Sequence, residues 1–283
     1  MQNFAFVDET LDINLTQSYH LSIQAGLNGL SFCVLDPIRN KYIVLEHNNF
    51  KPNQIFDDYL TELENYLDNH KLLKQSFKKV KLIWLTRKNA LIPDQFFDKN
   101  KLKPLIELTH TIDDLDEIHY KPLKFNDIVS AYIVPNLIAN LFIKKFSGIK
   151  FYNQQIPFIN HIIQEHHSEQ TKGFVDIQQD FFEFVLSQNG QIQFYNNFKI
   201  TTTTEMAYFI LYALEQNKLD IENTDIILSG LIQKYSEKYQ TLNKFIKTLK
   251  FDHRPDDFTY SYTFNKIPYH TFTNLFNLIH CEL

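Results

Sequence analysis

The sequence predicts an α/β fold built from two copies of one unit: three antiparallel strands, a helix and a further strand. Three observations carry this. Runs of alternating or fully apolar residues recur in the same order in both halves, Asn-Gly pairs close one hairpin in each copy, and matching elements start roughly 150 residues apart. A chain of 283 residues is long enough for two such units.

In the first copy, His20 to Gly26 reads as a strand, Leu27-Asn28-Gly29 as a turn and Leu30 to Asp36 as the return strand. Asp36, Pro37 and Asn40 supply the next turn, and Lys41 to His47 makes the third strand. A helix is expected from Asn53, because Ile55, Phe56, Tyr59, Leu60, Leu63, Tyr66 and Leu67 fall on one face of a 3.6 period. Val80 to Thr86 follows as a buried strand.

The second copy repeats the plan with strands from Gly173 to Gln178, Phe181 to Gln188 and Gln191 to Phe198, the last two joined by Asn189-Gly190. Thr204 is the expected cap of the next helix, and Thr224 to Gly230 is the buried strand after it. Asn48-Asn49-Phe50-Lys51 and Asn196-Asn197-Phe198-Lys199 close the third strand of each copy with the same four residues. Between the copies, Ile128 to Val134 reads as a strand and Pro135 to Phe146 as a helix with proline at its start. The boundary is drawn at Ser147-Gly148, giving halves 1–147 and 148–283. Beyond the second copy come an amphipathic helix from Glu237 to Leu249, an aromatic alternation from Phe258 to Phe264, and a final helix from Tyr269 to Ile279 that is a candidate to pack back on the first half.

Composition narrows function. With 26 Phe and 15 Tyr but 6 Gly, the chain has little of the glycine that phosphate loops use for close backbone approach. It contains no P-loop, dinucleotide-binding, zinc-protease or nucleophile-elbow motif. A net charge of −5 gives no global pull toward nucleic acid or anionic membrane. Cys33 and Cys281 lack metal-like spacing and read as reduced thiols. The first ten residues have no signal-peptide pattern, and the longest charge-free run, Ile128 to Ile143, is too short and interrupted to span a bilayer, so a cytoplasmic home is expected.

Two three-stranded units, each with a helix and a fourth strand, resemble the actin-like ATPase fold, a ribonuclease H-like architecture shared by actin, sugar kinases, heat-shock ATPases, FtsA and the pilus scaffold PilM. More narrowly, the stretches Leu21 to Cys33, Phe264 to His270 and Cys281-Glu282-Leu283 resemble a Bacteroidetes family of actin-fold proteins catalogued as a domain of unknown function. The resemblance implies two halves around a cleft with three nucleotide motifs. The first phosphate hairpin, ordinarily Asp-x-Gly-Thr/Ser, reads Gln24-Ala25-Gly26-Leu27 here, and Asn28 and Gly29 complete the turn. The Mg²⁺ carboxylate is thus replaced by an amide. The second reads Asp176-Ile177-Gln178, which keeps the acid and sets a side chain where backbone should meet phosphate. The adenosine motif reads Ser229-Gly230 followed by Leu231. The reading is a non-catalytic scaffold that binds another protein, with no cofactor; its rival is a nucleotide-binding switch or weak ATPase using ATP with Mg²⁺.

Lys71 to Lys103 holds ten basic residues and two acids, and Lys78, Lys79, Lys81, Arg87 and Lys88 are its candidate partner-binding positions. A third reading, RNA association through this run, is set against lysines that merely snorkel at strand ends. Trp84 is expected in the sheet, since period-2 alternation keeps it off the face of Lys81. His161 and Glu165 stand at i, i+4, a spacing that can chelate a metal if a third ligand joins; ordinary helix-end residues are the expectation and no metal is assigned.

Overall fold

A computed structural model describes residues 2–52, 54–123 and 127–281. The element order is β1 (Phe4–Val7), β2 (His20–Gly26), β3 (Gly29–Asp36), β4 (Lys41–Asn49), α1 (Phe56–Asn69), β5 (Lys79–Trp84), β6 (Asn89–Pro93), α2 (Leu102–Glu107), β7 (Asp116–Pro122), β8 (Ile128–Pro135), α3 (Asn136–Lys145), β9 (Lys150–Asn153) and α4 (Gln155–Glu165). It continues with β10 (Lys172–Ile177), β11 (Phe181–Gln188), β12 (Gln191–Lys199), α5 (Thr203–Gln216), β13 (Ile226–Gly230), α6 (Glu237–Phe245), β14 (Leu249–Phe251), β15 (Thr259–Tyr260) and α7 (Thr273–Asn277).

The duplication is real at the level of topology. One sheet runs β1-β4-β3-β2-β5-β9 and another β12-β11-β10-β13-β14. In each, an antiparallel meander is extended by a parallel strand, β5 beside β2 and β13 beside β10. The fold is therefore mixed α/β, with matching halves. The first sheet takes up β9, past Ser147-Gly148, as a parallel neighbour of β5.

Several expectations change. A third sheet, β6-β8-β7, is inserted after β5, and Asp116-Glu117 open its strand β7. Thr202, not Thr204, caps α5, accepting the Glu205 N–H at 3.1 Å. α6 stops at Phe245 because Leu249 starts an edge strand. The aromatic alternation yields only the two residues of β15, which pair with β4, before a 3₁₀ turn at Tyr262–Lys266. The last helix shrinks to α7 because Phe272 adopts left-handed backbone, φ 63°, which cannot continue a right-handed helix. The helix start expected at Asn53 and the closing Glu282-Leu283 lie outside the described residues.

Strands β2 to β4 are buried on both faces, and alternation divides them cleanly. Leu30, Phe32 and Val34 of β3 join α1 and α3 through Leu63, Leu67, Ile138 and Phe142. Cys33 and Leu35 face the C-terminal residues Phe264, Phe272, Leu275 and Phe276. Val44 opposes Val34 while Tyr42 opposes Leu35, so Ile43 is the extra residue of a β-bulge. That explains why Ile43 and Val44 both reach the helix side while Tyr42 and Leu45 reach the C-terminal side. On the second sheet, Val175, Ile177 and Phe184 pack on α5 and α6, and Phe174, Val185 and Ile227 face the core shared with the first half. α4 crosses between the halves, with nine of its 11 residues buried, as a helix enclosed on all sides must be.

The C-terminal return is held by its backbone carbonyls. Tyr42 hydroxyl donates to Phe276 O at 2.6 Å, Lys81 Nζ to Leu278 O at 3.1 Å and Ile279 O at 2.9 Å, and Arg254 Nη2 to Phe264 O at 3.0 Å. The cations thus satisfy carbonyls at turn ends, where positive charge is favoured. Phe276 sits edge-on to Tyr42 and Tyr260 in this layer. Phe276→Ala is expected to lower unfolding free energy by about 3–5 kcal/mol, measured by urea denaturation; a cost under about 1 kcal/mol would mean the return is not part of the core.

Candidate functional site

The floor of the cleft begins with the β2–β3 hairpin. A Cβ on Gly29 would press into the Asn48 carbonyl, so β4 can pass this close only to glycine. Gln24, Gly26, Asn28 and Gly29 all line a cavity of about 670 Å³, and Gln178 faces them from the second half. Arg87 and Lys88 at the β5–β6 link close one side. Asp176, Ser229 and Gly230, the other residues singled out in the sequence, do not line it.

Asp176 is instead sealed below the surface. It is 1 % exposed, and its carboxylate accepts from Gln178 Nε2 at 2.5 Å, Ser229 Oγ at 2.9 Å and Asn274 Nδ2 at 3.1 Å. Burial pushes its carboxyl up to about 6, against the pull of the Gln178, Ser229 and Asn274 hydrogen bonds. Asn274 comes from α7, so the C-terminal return occupies the ground beside the second phosphate hairpin. The same segment engages the third motif: Gly230 N–H donates to His270 O at 2.9 Å. Gly230 has φ +82° and would drive a Cβ into the Ile177 carbonyl, which explains the glycine without any ligand. Phe272, next in the return, lines the cavity.

Between the halves runs a polar network that the sequence reading missed. Asn153 and Gln154 join the end of β9 to Thr86 O, at 3.4 and 2.8 Å, and Gln154 Nε2 also donates to Glu183 Oε1 of β11 at 3.2 Å. Tyr195 hydroxyl lies 2.6 Å from Glu183 Oε1 and 2.9 Å from Asn89 Oδ1. One hydroxyl proton cannot serve two acceptors, so a protonated Glu183 donating to Tyr195 completes the chain. Burial, outweighing Tyr195 and aided by the nearby Asp176 charge, pushes Glu183 up to about 8, which fits. The available signal was the run Asn153-Gln154-Gln155 within an otherwise apolar stretch, all three now fully buried.

The basic segment is not one surface. Lys81 lies inside, 2 % exposed on the α7 side, and is corrected from a surface candidate to a packing residue. Trp84 is buried with the opposite core. Lys88 is tied to Asp113 at 3.3 Å and Asp116 at 3.1 Å, its own charge stabilised by them. Lys78 and Arg87 are exposed and Lys79 half-buried, at opposite ends of β5. Glu165 is exposed, and its charge reaches His161 only through space, while His161 makes its side-chain contact with Asp252.

The family model described as "Protein of unknown function (DUF3822)" matches residues 8–249. The chain belongs to that family. Its solved likenesses include a Bacteroides thetaiotaomicron protein with an actin-like ATPase fold and unknown function, at 19 % identity, TM-score 0.82, covering 96 % of this chain and 100 % of that one. A PilM–PilN type IV pilus biogenesis complex aligns at 9 % identity and TM-score 0.60, covering 93 % and 99 %. The ethanolamine utilization protein EutJ from Carboxydothermus hydrogenoformans aligns at 8 % identity and TM-score 0.50, over 96 % and 90 %. No curated protein matches. The actin-like ATPase fold is thereby shown for this DUF3822 chain, and among its described residues no helix is long and apolar enough to cross a membrane.

Glu183 generates a pH prediction. A folded-state carboxyl raised from 4.5 to about 8 binds its proton more tightly folded than unfolded, so stability falls as pH rises through that window, at up to ~1.4 kcal/mol per pH unit. Glu183→Gln carries its donor permanently and should show no such fall. Its advantage over the wild type should therefore grow from pH 5 to 8 in thermal melts; parallel curves would show that Glu183 ionises normally.

Proposed function

We propose that this chain is a non-catalytic actin-fold protein whose cleft binds an apolar, positively charged segment of a partner protein. The observation that carries the reading is the cavity's charge. Among the described residues, its lining has two cations, Arg87 and Lys88, against four carboxylates, Asp57, Asp113, Asp116 and Asp180. His47, also in the lining, is neutral at physiological pH because burial lowers it to about 4. Such a cavity repels a polyphosphate and attracts a cationic chain. Leucines at its wall are unusually open: Leu27 is 54 % exposed, Leu115 69 % and Leu137 42 %, the kind of apolar surface a partner covers. The amide at Gln24 and the sealed Asp176 support the absence of Mg²⁺-assisted turnover. That a PilM–PilN complex shares the architecture supports a role in binding protein.

Two measurements test this. Selection from a random peptide library should enrich segments that combine Lys or Arg with Leu or Phe, and the doubly reversed Asp57→Lys, Asp180→Lys variant should bind the selected peptides at least ~10-fold more weakly, since both residues are exposed and reverse the wall's charge without touching the core. Acidic selected peptides, or equal binding by the variant, would contradict the reading. Millimolar ATP with Mg²⁺ should leave the thermal midpoint within about 1 °C. A ligand at 100 times its Kd contributes about 2.7 kcal/mol, which in a protein of this size moves the midpoint by roughly 5 °C, and a shift of that size would favour the nucleotide switch.

A further inference from the structure

Away from the cleft, the C-terminal end of α4 meets the turn after β14. His161 Nε2 lies 3.1 Å from Asp252 Oδ2, and both side chains are almost wholly buried. His166 Nε2 lies 3.6 Å from Asp252 Oδ1. His253 Nδ1 approaches the same oxygen, also at 3.6 Å, while its backbone N–H donates to it at 2.9 Å. Three imidazoles thus converge on one carboxylate.

Hydrogen bonding explains only the first of them. The His161 contact is a normal imidazole–carboxylate bond, but 3.6 Å is too long for the second. His166 Nε2 is nonetheless buried and without a hydrogen-bond partner, a destabilising arrangement unless something occupies it. Its ring is fixed by packing on Phe174, with centroids 4.8 Å apart, so it cannot simply swing out to water. One ligand atom from each of His161, His166 and Asp252 lies within 4.8 Å of the other two. Two ligands on a tetrahedral metal with bonds of about 2.0–2.1 Å stand about 3.3 Å apart, close to the 3.2 and 3.6 Å that separate Asp252 Oδ1 from His161 Nε2 and His166 Nε2.

We propose that His161, His166 and Asp252 form a tetrahedral Zn²⁺ site whose fourth position opens toward His253 and solvent. Two imidazoles and one carboxylate suit zinc; an all-oxygen set would suit calcium or magnesium. The His253 backbone N–H holds the carboxylate in place as an outer-shell contact. The His253 side chain, 47 % exposed, leaves the ion a way in. Because α4 is the element that crosses between the halves and Asp252 directly follows the edge strand of the second sheet, the ion would clamp the crossing to that sheet. None of the three ligands lines the cleft cavity, so the site stands independently of the proposed partner binding.

The test uses tag-free full-length protein treated with a chelator and then titrated with Zn²⁺ and, separately, with Co²⁺. The wild type should bind one equivalent per chain and develop the intense visible absorption of tetrahedral Co²⁺. His166→Ala leaves the His161–Asp252 pair intact, so it should fold and lose both signals. His166→Gln, closer in size, should show the same loss if the alanine variant is unstable. Absence of stoichiometric binding by the wild type, or undiminished binding and absorption in either His166 variant, would overturn the site.

Discussion

The rest of the structure depends on the return of the C-terminal segment across the first sheet. β2 to β4 carry apolar side chains on both faces, and the helices α1 and α3 cover only one. Without a second cover, Cys33, Leu35, Tyr42 and Leu45 would face water, an exposure of well over one side chain's worth of burial at about 1.5–3 kcal/mol each. The return supplies Phe264, Phe272, Leu275 and Phe276 for this purpose. Covering a sheet with an irregular segment creates a second problem, the unpaired carbonyls of its short turns. Tyr42, Lys81 and Arg254 answer it, each reaching backbone oxygens from a buried position.

The same segment shapes the cleft. In passing from the second sheet to the first it places His270 on Gly230, Asn274 on Asp176 and Phe272 at the cavity wall. Packing of the first half and closure of the second phosphate hairpin are therefore consequences of one path. A chain that used Asp176 to organise Mg²⁺ would have to move α7 first, at the expense of the aromatic layer. This coupling, more than any single substituted motif residue, supports reading the cleft as a binding surface.

Much of the duplicated plan was legible in the sequence because its signals are local. Alternation over His20 to Gly26 and Phe181 to Gln188, and turns at Asn28-Gly29 and Asn189-Gly190, depend on neighbours within a few residues. Of the inserted sheet only β8 was legible, as the apolar run from Ile128: β7 is half-buried along most of its length, and its opening Asp116-Glu117 mimics a solvated turn. Long-range satisfaction was equally hidden. Asp176 meets Asn274 at a separation of 98 residues, and Glu183 meets Gln154 at 29. Lys81 in a basic run looks like surface until Leu278 and Ile279 bring their carbonyls to it from the far end of the chain. At the candidate site, the Gln24 turn lines the cavity, whereas the negative charge of that cavity comes from Asp57, Asp113, Asp116 and Asp180, which share no motif.

The most direct test of the account is native-state hydrogen exchange across residues 262–281 and the two hairpins, with and without Mg²⁺ and ATP. If the return is a structural layer that closes the second phosphate hairpin, its amides and those of Ile177, Gln178 and Gly230 should be as protected as β2 and β10, and nucleotide should change none of them. Rapid exchange of the return, with protection appearing at the Gly26 to Gly29 turn and at Ile177 to Gln178 when nucleotide is added, would contradict it and mark the segment as a displaceable plug over a working nucleotide site.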